Sequence, residues 1–492
     1  MSRYLHSLRI LAISCIGLLP ATGFGQTFAT DFEQLLTSGE LTIAIDLATA
    51  RVKAAPEDAQ AHFSKGIAEF LFAVEGLGQG LHRYGLRNSY DNDMLQMLEL
   101  PFLRLPVPEN PNPENVTYAG LRQVLTQFHD RLAIAEATLA QVPDQRIDLP
   151  LHLMKIRLDL NSDGLATAEE SIGGAIYRMA IGQPPTAGDP VAATENLVID
   201  FDQSDAPWLR GYCHLLMAMA DLPLAYDWQR AFDLTFHNLF PKSNLASHEL
   251  SEQAALMLDY LSVAEKPFDY PEFDWTQRPD ETEDDYAKRS SAYVEGRAAA
   301  EAAWDLSPEG QAYAAAVAKT ASARDAIWMG DIADSIAFIH VLDWPVVQTE
   351  RMQEARQHLL QMISLSRENW RRIKAETDDK VEWLPGPRQT SLMENLRVTE
   401  DRVQGWNIFL DEFEAVLNGT RLIPHWRIAS DGRGINLKRL FDEPARLDLV
   451  LLLQGSAALP YLEDGETVQA STVDTVFNLM GSGLIGYFFW FN

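Results

Sequence analysis

Cysteine is almost missing from this chain: 492 residues contain two, Cys15 and Cys213. The first lies in an N-terminal stretch with the composition of a leader, so a processed chain would keep one thiol and no intrachain disulfide. Stability must then come from packing. Cys213 stands among Tyr212, Leu215, Leu216 and Met217 and reads as a buried small hydrophobe. Beyond the leader, no stretch reaches the roughly 18 uninterrupted apolar residues of a membrane-spanning helix. Positive charge is also scarce, with 40 basic against 70 acidic side chains and a net charge of −30. Such a surface repels phosphate backbones and anionic headgroups, which argues against nucleic-acid partners and favours cations or basic ones. Solubility in salt is an equally good reason for it. Also missing are a phosphate-cradling glycine loop, an HExxH helix, a CxxC pair and a GxSxG elbow. The eleven histidines are scattered.

What is present begins with a leader. Arg3, His6 and Arg9 precede an apolar run from Ile10 to Leu19, then Pro20 and small residues from Ala21 to Gly25. That order is the signature of a secretory signal peptide over residues 1–25, cleaved near Gly23 or Gly25, and places the mature chain outside the cytoplasm, periplasmic or secreted. A lipid anchor on Cys15 is disfavoured because the apolar run continues past it. The remainder, 47% hydrophobic and 22% charged, has ordinary globular composition.

Hydrophobic periodicity points to a mainly α fold, a multi-helix bundle or a helical-hairpin array with an irregular C-terminal segment. Residues 26–100 read as an N-terminal helical hairpin. Within it, Gly39, Ala44, Ile45, Ala48, Pro56, Ala59, Ala61, Phe63, Gly66 and Ala68 resemble one tetratricopeptide-type unit over residues 38–85, with small residues where two helices touch and a proline at their turn. No second copy follows. Residues 101–115 hold five prolines and form an extended connector. Residues 116–265 read as a helical region. In it Leu121, Val124, Leu125, Phe128, Leu132, Ala135 and Leu139 recur at steps of three and four, predicting a helix over 117–141. The aromatic stretch 206–240 should be core broken at Pro223, and Asp233 and His237, four apart, would share a helix face. Residues 266–285 are an acidic, solvated linker. Residues 286–492 form a C-terminal helical region, including two long helices expected side by side and an apolar aromatic end that plugs the core.

One segment carries a spacing that a specific chemistry demands. From Asp159 to Glu170, oxygen-bearing side chains fall at positions 1, 3, 5, 9 and 12 with glycine at position 6, the pattern of a calcium loop. Asp159, Asn161 and Asp163 would give side-chain oxygens, Leu165 its carbonyl, Thr167 a direct or water-bridged contact, and Glu170 a bidentate carboxylate; Gly164 allows the sharp turn. The apolar Leu151–Leu158 segment before it and Thr167–Met179 after it are expected to be the flanking helices. This stretch resembles the EF-hand family, and the resemblance implies bound Ca2+. Two departures accompany it. Position 8, usually a larger aliphatic residue that pairs with a second loop, is Ala166. The segment starting at Asp200 lacks the glycine and terminal glutamate of a partner loop.

Three functions follow as expectations. The first is an exported helical protein in which one EF-hand-like loop binds Ca2+ as a structural joint. An interaction scaffold built on tetratricopeptide-like hairpins, with a protein partner, is the alternative. The third is a hydrolase-type enzyme with a cleft near Trp208–Phe240, for which no catalytic residue can be named.

Overall fold

A computed structural model describes residues 24–87, 105–181, 196–242, 266–391, 397–428, 432–480 and 491. The chain is mainly helical, with little strand. Among the described residues no helix is long and apolar enough to cross a membrane. Residues 1–23, which hold nearly all of the expected leader, lie outside the described set.

Two compact units are formed, one from residues 1–114, 118–228 and 343–492, the other from 115–117 and 229–342. The first unit opens with α1 (Phe24–Ser38), α2 (Leu41–Ala54) and α3 (Ala59–Arg83). Asp58 caps α3 by accepting the Ala61 N–H at 3.0 Å. Buried Ala44, Ala48, Ala59 and Ala61 let the helices of the repeat-like hairpin approach closely. After an irregular segment at 105–117 comes α4 (Tyr118–Leu139), and all seven of its periodic apolar residues are buried. Strand β1 (Leu149–Leu151), helix α5 (Ile172–Ile181), strand β2 (Ile199–Phe201) and helix α6 (Asp205–Ala225) follow; β1 and β2 pair antiparallel, Leu149 opposite Phe201.

Pro223 lies in the last turn of α6 rather than between two helices. The carbonyls left open there are gathered by Arg122 of α4, which donates to Pro223 O at 3.2 Å, Leu224 O at 2.6 Å and Tyr226 O at 2.8 Å. A guanidinium matches the partial negative charge of a helix C-terminus. Replacing Arg122 with glutamine should cost about 1.5–3 kcal/mol, the range for hydrogen bonds to a charged group; urea unfolding measures it, and an unchanged midpoint would contradict the assignment.

In the second unit, α7 (Gln229–Thr235) tightens into a 3-10 turn at Phe236–Asn238, so Asp233 and His237 do not sit on one continuous α-helical face. Residues 266–282 contain no helix or strand, yet they are not simply solvated. Arg289 of α8 (Glu283–Asp305) lies 4.7 Å over the Phe273 ring and donates to Asp274 O and Thr276 O. Tyr293 of α8 packs against Phe273 at 4.7 Å. Helix α9 (Pro308–His340) completes this unit.

The first unit resumes at β3 (Asp343–Trp344), followed by α10 (Thr349–Ile373) and α11 (Glu400–Leu417). These two long helices pack against each other and share the main core with Trp370, Trp406 and Phe491. Phe491 is fully buried, edge-on to Trp370 at 4.7 Å and to Trp406 at 5.8 Å. The Ser366 hydroxyl links this end of the chain to the core by donating to Phe491 O and accepting from Trp406 Nε1. Short elements fill residues 423–480, including a two-residue strand at Leu447–Asp448, which pairs with β3, and a six-residue helix from Leu449. The apolar run at 447–453 is therefore part strand and part helix.

Within the first unit the helices that position functional side chains form a row: α3 packs on α4, α4 on α6, and α6 on α10.

Candidate functional site

The loop from Asp159 to Glu170 is held by its own backbone and by α3. Its two ends lie side by side, because Arg157 bridges Ser171 antiparallel, Leu158 N–H donates to Glu170 O at 3.1 Å and Ile172 N–H to Ile156 O at 2.9 Å. From α3, the Glu75 carboxylate accepts the Asp159 N–H at 2.8 Å and the Gln79 amide donates to Asp159 O at 2.9 Å. Leu160 is buried, whereas Leu165 at the tip is 71% exposed.

Inside the loop the acceptor side chains curl the chain. Asp159 accepts from the N–H groups of Asp163 and Gly164 at 3.2 and 3.0 Å. Asn161 accepts from Asp163 at 2.9 Å, and Asp163 accepts from Leu165 at 2.8 Å. The curl needs left-handed backbone at Ser162 (φ 60°) and Gly164 (φ 84°). Glu170, 2% exposed, accepts from Leu160 N–H with one oxygen and from the Thr167 N–H and hydroxyl with the other. These bonds close the turn before α5, whose own first N–H groups are capped by Ser171, its hydroxyl accepting from the Gly174 N–H at 3.0 Å. Among the described residues the one set of three acidic or imidazole groups gathered within 4.8 Å lies elsewhere, so Asp159, Asp163 and Glu170 are neighbours without being fully convergent. Negative charge nonetheless accumulates here. Burial, with added repulsion from Asp159 and Glu170, pushes the Glu75 carboxyl up to about 7.

One expectation about this loop is corrected. The segment leading into it is not an α-helix: β1 is followed by a single 3-10 turn at Leu153–Lys155 and an extended Arg157. Pro150 and the pairing of β1 with β2 hold it extended, and the His152 N–H is bound by the Glu33 carboxylate of α1 at 2.7 Å. The unit is thus strand, loop, helix. Ala166, at the position where a paired EF-hand places a larger aliphatic residue, meets the turn between α1 and α2 instead of a second loop. A methyl group built on Gly39 would lie 2.2 Å from the Ala166 Cβ. The Asp200 segment serves a local purpose: Asp205 accepts the Asp202 N–H at 2.7 Å, and Asp202 accepts the N–H and hydroxyl of Ser204 at 2.7 and 2.6 Å.

A second cluster lies on α4, α6 and α10. His129, Asp221 and His358 bring one ligand atom each within 4.8 Å of one another. Glu136 and His214 adjoin them, His214 Nδ1 being 2.8 Å from His358 Nδ1 and His214 Nε2 3.5 Å from Glu136 Oε1. A cleft of about 540 Å³ opens beside the group, lined by His129, Glu136, His214, Arg351, Glu354 and His358. Asp221 is fully buried; its Oδ1 takes a 2.7 Å bond from Arg351, and its Oδ2 has no hydrogen-bond partner. Burial and the neighbouring His214 hold His358 down at about 4. For His129, burial works downward, but the neighbouring Asp221 carboxylate outweighs it and raises the ring. His214, partly offset by burial and helped by Arg210, draws Glu136 down to about 2.

The sequence carried a signal for this cluster. His129 and Glu136, His214 and Asp221, and Arg351 and His358 are each seven residues apart, two helical turns, so each pair shares a face. Elsewhere, His425 is satisfied locally: it is buried, faces Gly455 O at 2.9 Å and accepts from the Arg427 N–H. Cys213 is fully buried, and burial pushes its thiol well above the usual range.

No protein-family model, curated protein or solved structure matches this chain.

Proposed function

We propose that this chain is an exported, mainly helical calcium-binding protein in which the loop from Asp159 to Glu170 takes one Ca2+ and locks the start of α5 to α1 and α3. The observation that carries the reading is the clamp at the loop's ends, the Arg157–Ser171 bridge. It sets positions 1 and 12 side by side, while positions 1, 3 and 5 already turn their oxygens toward the loop's own backbone. A dication needs six to eight oxygens, and Asp159, Asn161, Asp163, the Leu165 carbonyl, Thr167 and Glu170 supply them in the order such a loop requires. Binding would also relieve the repulsion that Glu75 feels from Asp159 and Glu170.

The joint is structural rather than regulatory. Among the described residues Ala166 faces the α1–α2 turn at Gly39, so filling the site tightens an existing contact instead of opening a new surface. Calcium should therefore raise the melting temperature, the stabilisation reaching about 2.7 kcal/mol at a hundredfold excess over Kd. Asp159→Ala should abolish the rise. Glu170→Gln should do the same while its amide oxygen keeps an acceptor for one of the Leu160 and Thr167 N–H groups. The comparison is the calcium-dependent shift within each protein, which separates binding from any general destabilisation. Identical melting of the wild type in calcium and in chelator would refute the proposal.

A further inference from the structure

We propose that His129, Asp221 and His358 form a second, chemically different metal site, for a divalent first-row transition ion held by two imidazoles and one carboxylate with an open position toward the cleft. The argument starts from the buried Asp221. Its Oδ1 is satisfied by Arg351, but Oδ2 is enclosed without a hydrogen-bond partner and lies 3.7 Å from His358 Nε2. A buried carboxylate oxygen left in that state is costly unless a cation or donor meets it.

The surrounding bonds decide which imidazole nitrogens face that oxygen. His214 directs Nε2 at the Glu136 carboxylate, so that nitrogen carries its proton and Nδ1 is an acceptor. His358 then donates Nδ1–H to His214 Nδ1 across 2.8 Å, and its Nε2 lone pair is turned to Asp221. On the other side, His129 Nδ1 faces Asp130 Oδ1 at 3.3 Å, which places its proton there and leaves the Nε2 lone pair 3.4 Å from Asp221 Oδ1. Each prospective ligand ring thus has its far nitrogen engaged by a neighbouring residue, as metal-binding histidines do.

Nitrogen ligands select zinc, iron, cobalt or nickel over calcium, which prefers an all-oxygen shell. Three protein ligands beside a cleft are the arrangement of a site that leaves room for water or substrate, whereas structural zinc sites close with four. Arg351 competes for the place, since its Nη1 also lies 3.2 Å from His129 Nε2. Glu354, 3.7 Å from the same guanidinium nitrogen, offers it an alternative partner when the ion enters.

Zinc binding to the full chain, stripped with chelator and titrated against a chromophoric competitor, tests the assignment. One tight equivalent is expected. His129→Gln and His358→Gln should each weaken it at least about 100-fold, and His214→Gln, which acts only by orienting His358, about 10-fold. Glu170→Gln should leave zinc affinity unchanged, so failure of the calcium loop and failure of this site are told apart. Unaltered melting in the absence of metal verifies that the two ligand variants are folded. The proposal is overturned if the wild type binds no zinc at micromolar concentration, or if both folded ligand variants bind it as the wild type does.

Discussion

Gly39→Ala is expected to destabilise the first unit by about 2–5 kcal/mol and, in the same variant, to weaken calcium binding at a loop more than a hundred residues away in sequence. Two costs add. Gly39 has φ +77°, a left-handed conformation that costs an L-residue about 1–2 kcal/mol. The new methyl would also fall 2.2 Å from the Ala166 Cβ, and overpacking of this kind costs about 1–3 kcal/mol. Neither atom belongs to a flexible side chain that can step aside. The turn is further tied to the loop's leading strand by the Arg157 N–H, which donates to Leu36 O at 3.1 Å, so relief by moving the turn breaks that bond. Thermal melting and calcium calorimetry measure the two effects. A Gly39→Ala protein with wild-type melting and wild-type calcium affinity would show that Ala166 does not rest on this turn.

The same contact explains why the loop was legible in the sequence and its surroundings were not. All six ligands proposed for the loop come from one contiguous segment, so their spacing can be counted without knowing the fold. The partner of Ala166 comes from Gly39, and only the folded chain puts them together. Helices α4, α10 and α11 were readable because three-four periodicity records a buried face directly. The segment before the loop, Leu151–Leu158, is not helical although its eight residues are apolar-rich, because so short a run does not distinguish strand from helix; what decides is pairing of β1 with residues 199–201. The cluster at Asp221 was hidden for a related reason. Each helix contributes one seven-residue pair, and among eleven histidines and 70 carboxylates such pairs stand out only when three helices are known to be adjacent.

The cluster of acids beyond the start of α6 leads to the other large expected effect, on stability as a function of pH. Glu382, 3% exposed, is pushed up to about 8 by burial first, then by the charges of Asp202, Glu376, Asp378 and Asp200. Asp205, fully enclosed, is raised well above the usual carboxylate range by burial and by Asp202, and Glu376 is raised for the same reasons. The nearby cations are committed elsewhere: Lys380 binds Asp148 at 2.7 Å and reaches Asp200 only at 3.6 Å, while Arg372 binds Glu368 and Asp144. A carboxyl whose folded pKa is raised binds a proton that the unfolded chain has released. Its contribution to stability is therefore complete below the unfolded value near 4.5 and is lost as pH rises through about 8. At about 1.4 kcal/mol per unit, Glu382 alone should cost the wild type about 2–4 kcal/mol between pH 5 and pH 8.5. Below pH 5 the opposite sign takes over, because Glu136, lowered to about 2 by His214 and Arg210, loses its pairing as acid protonates it. Maximum stability is thus expected near pH 5. Glu382→Gln imitates the protonated form at every pH, so it should match the wild type at pH 5 and exceed it by most of that difference at pH 8.5. Urea unfolding in chelator at both pH values decides the matter: parallel losses for the two proteins would mean that Glu382 ionises freely in the folded chain, and that the burial and repulsion described here do not act on it.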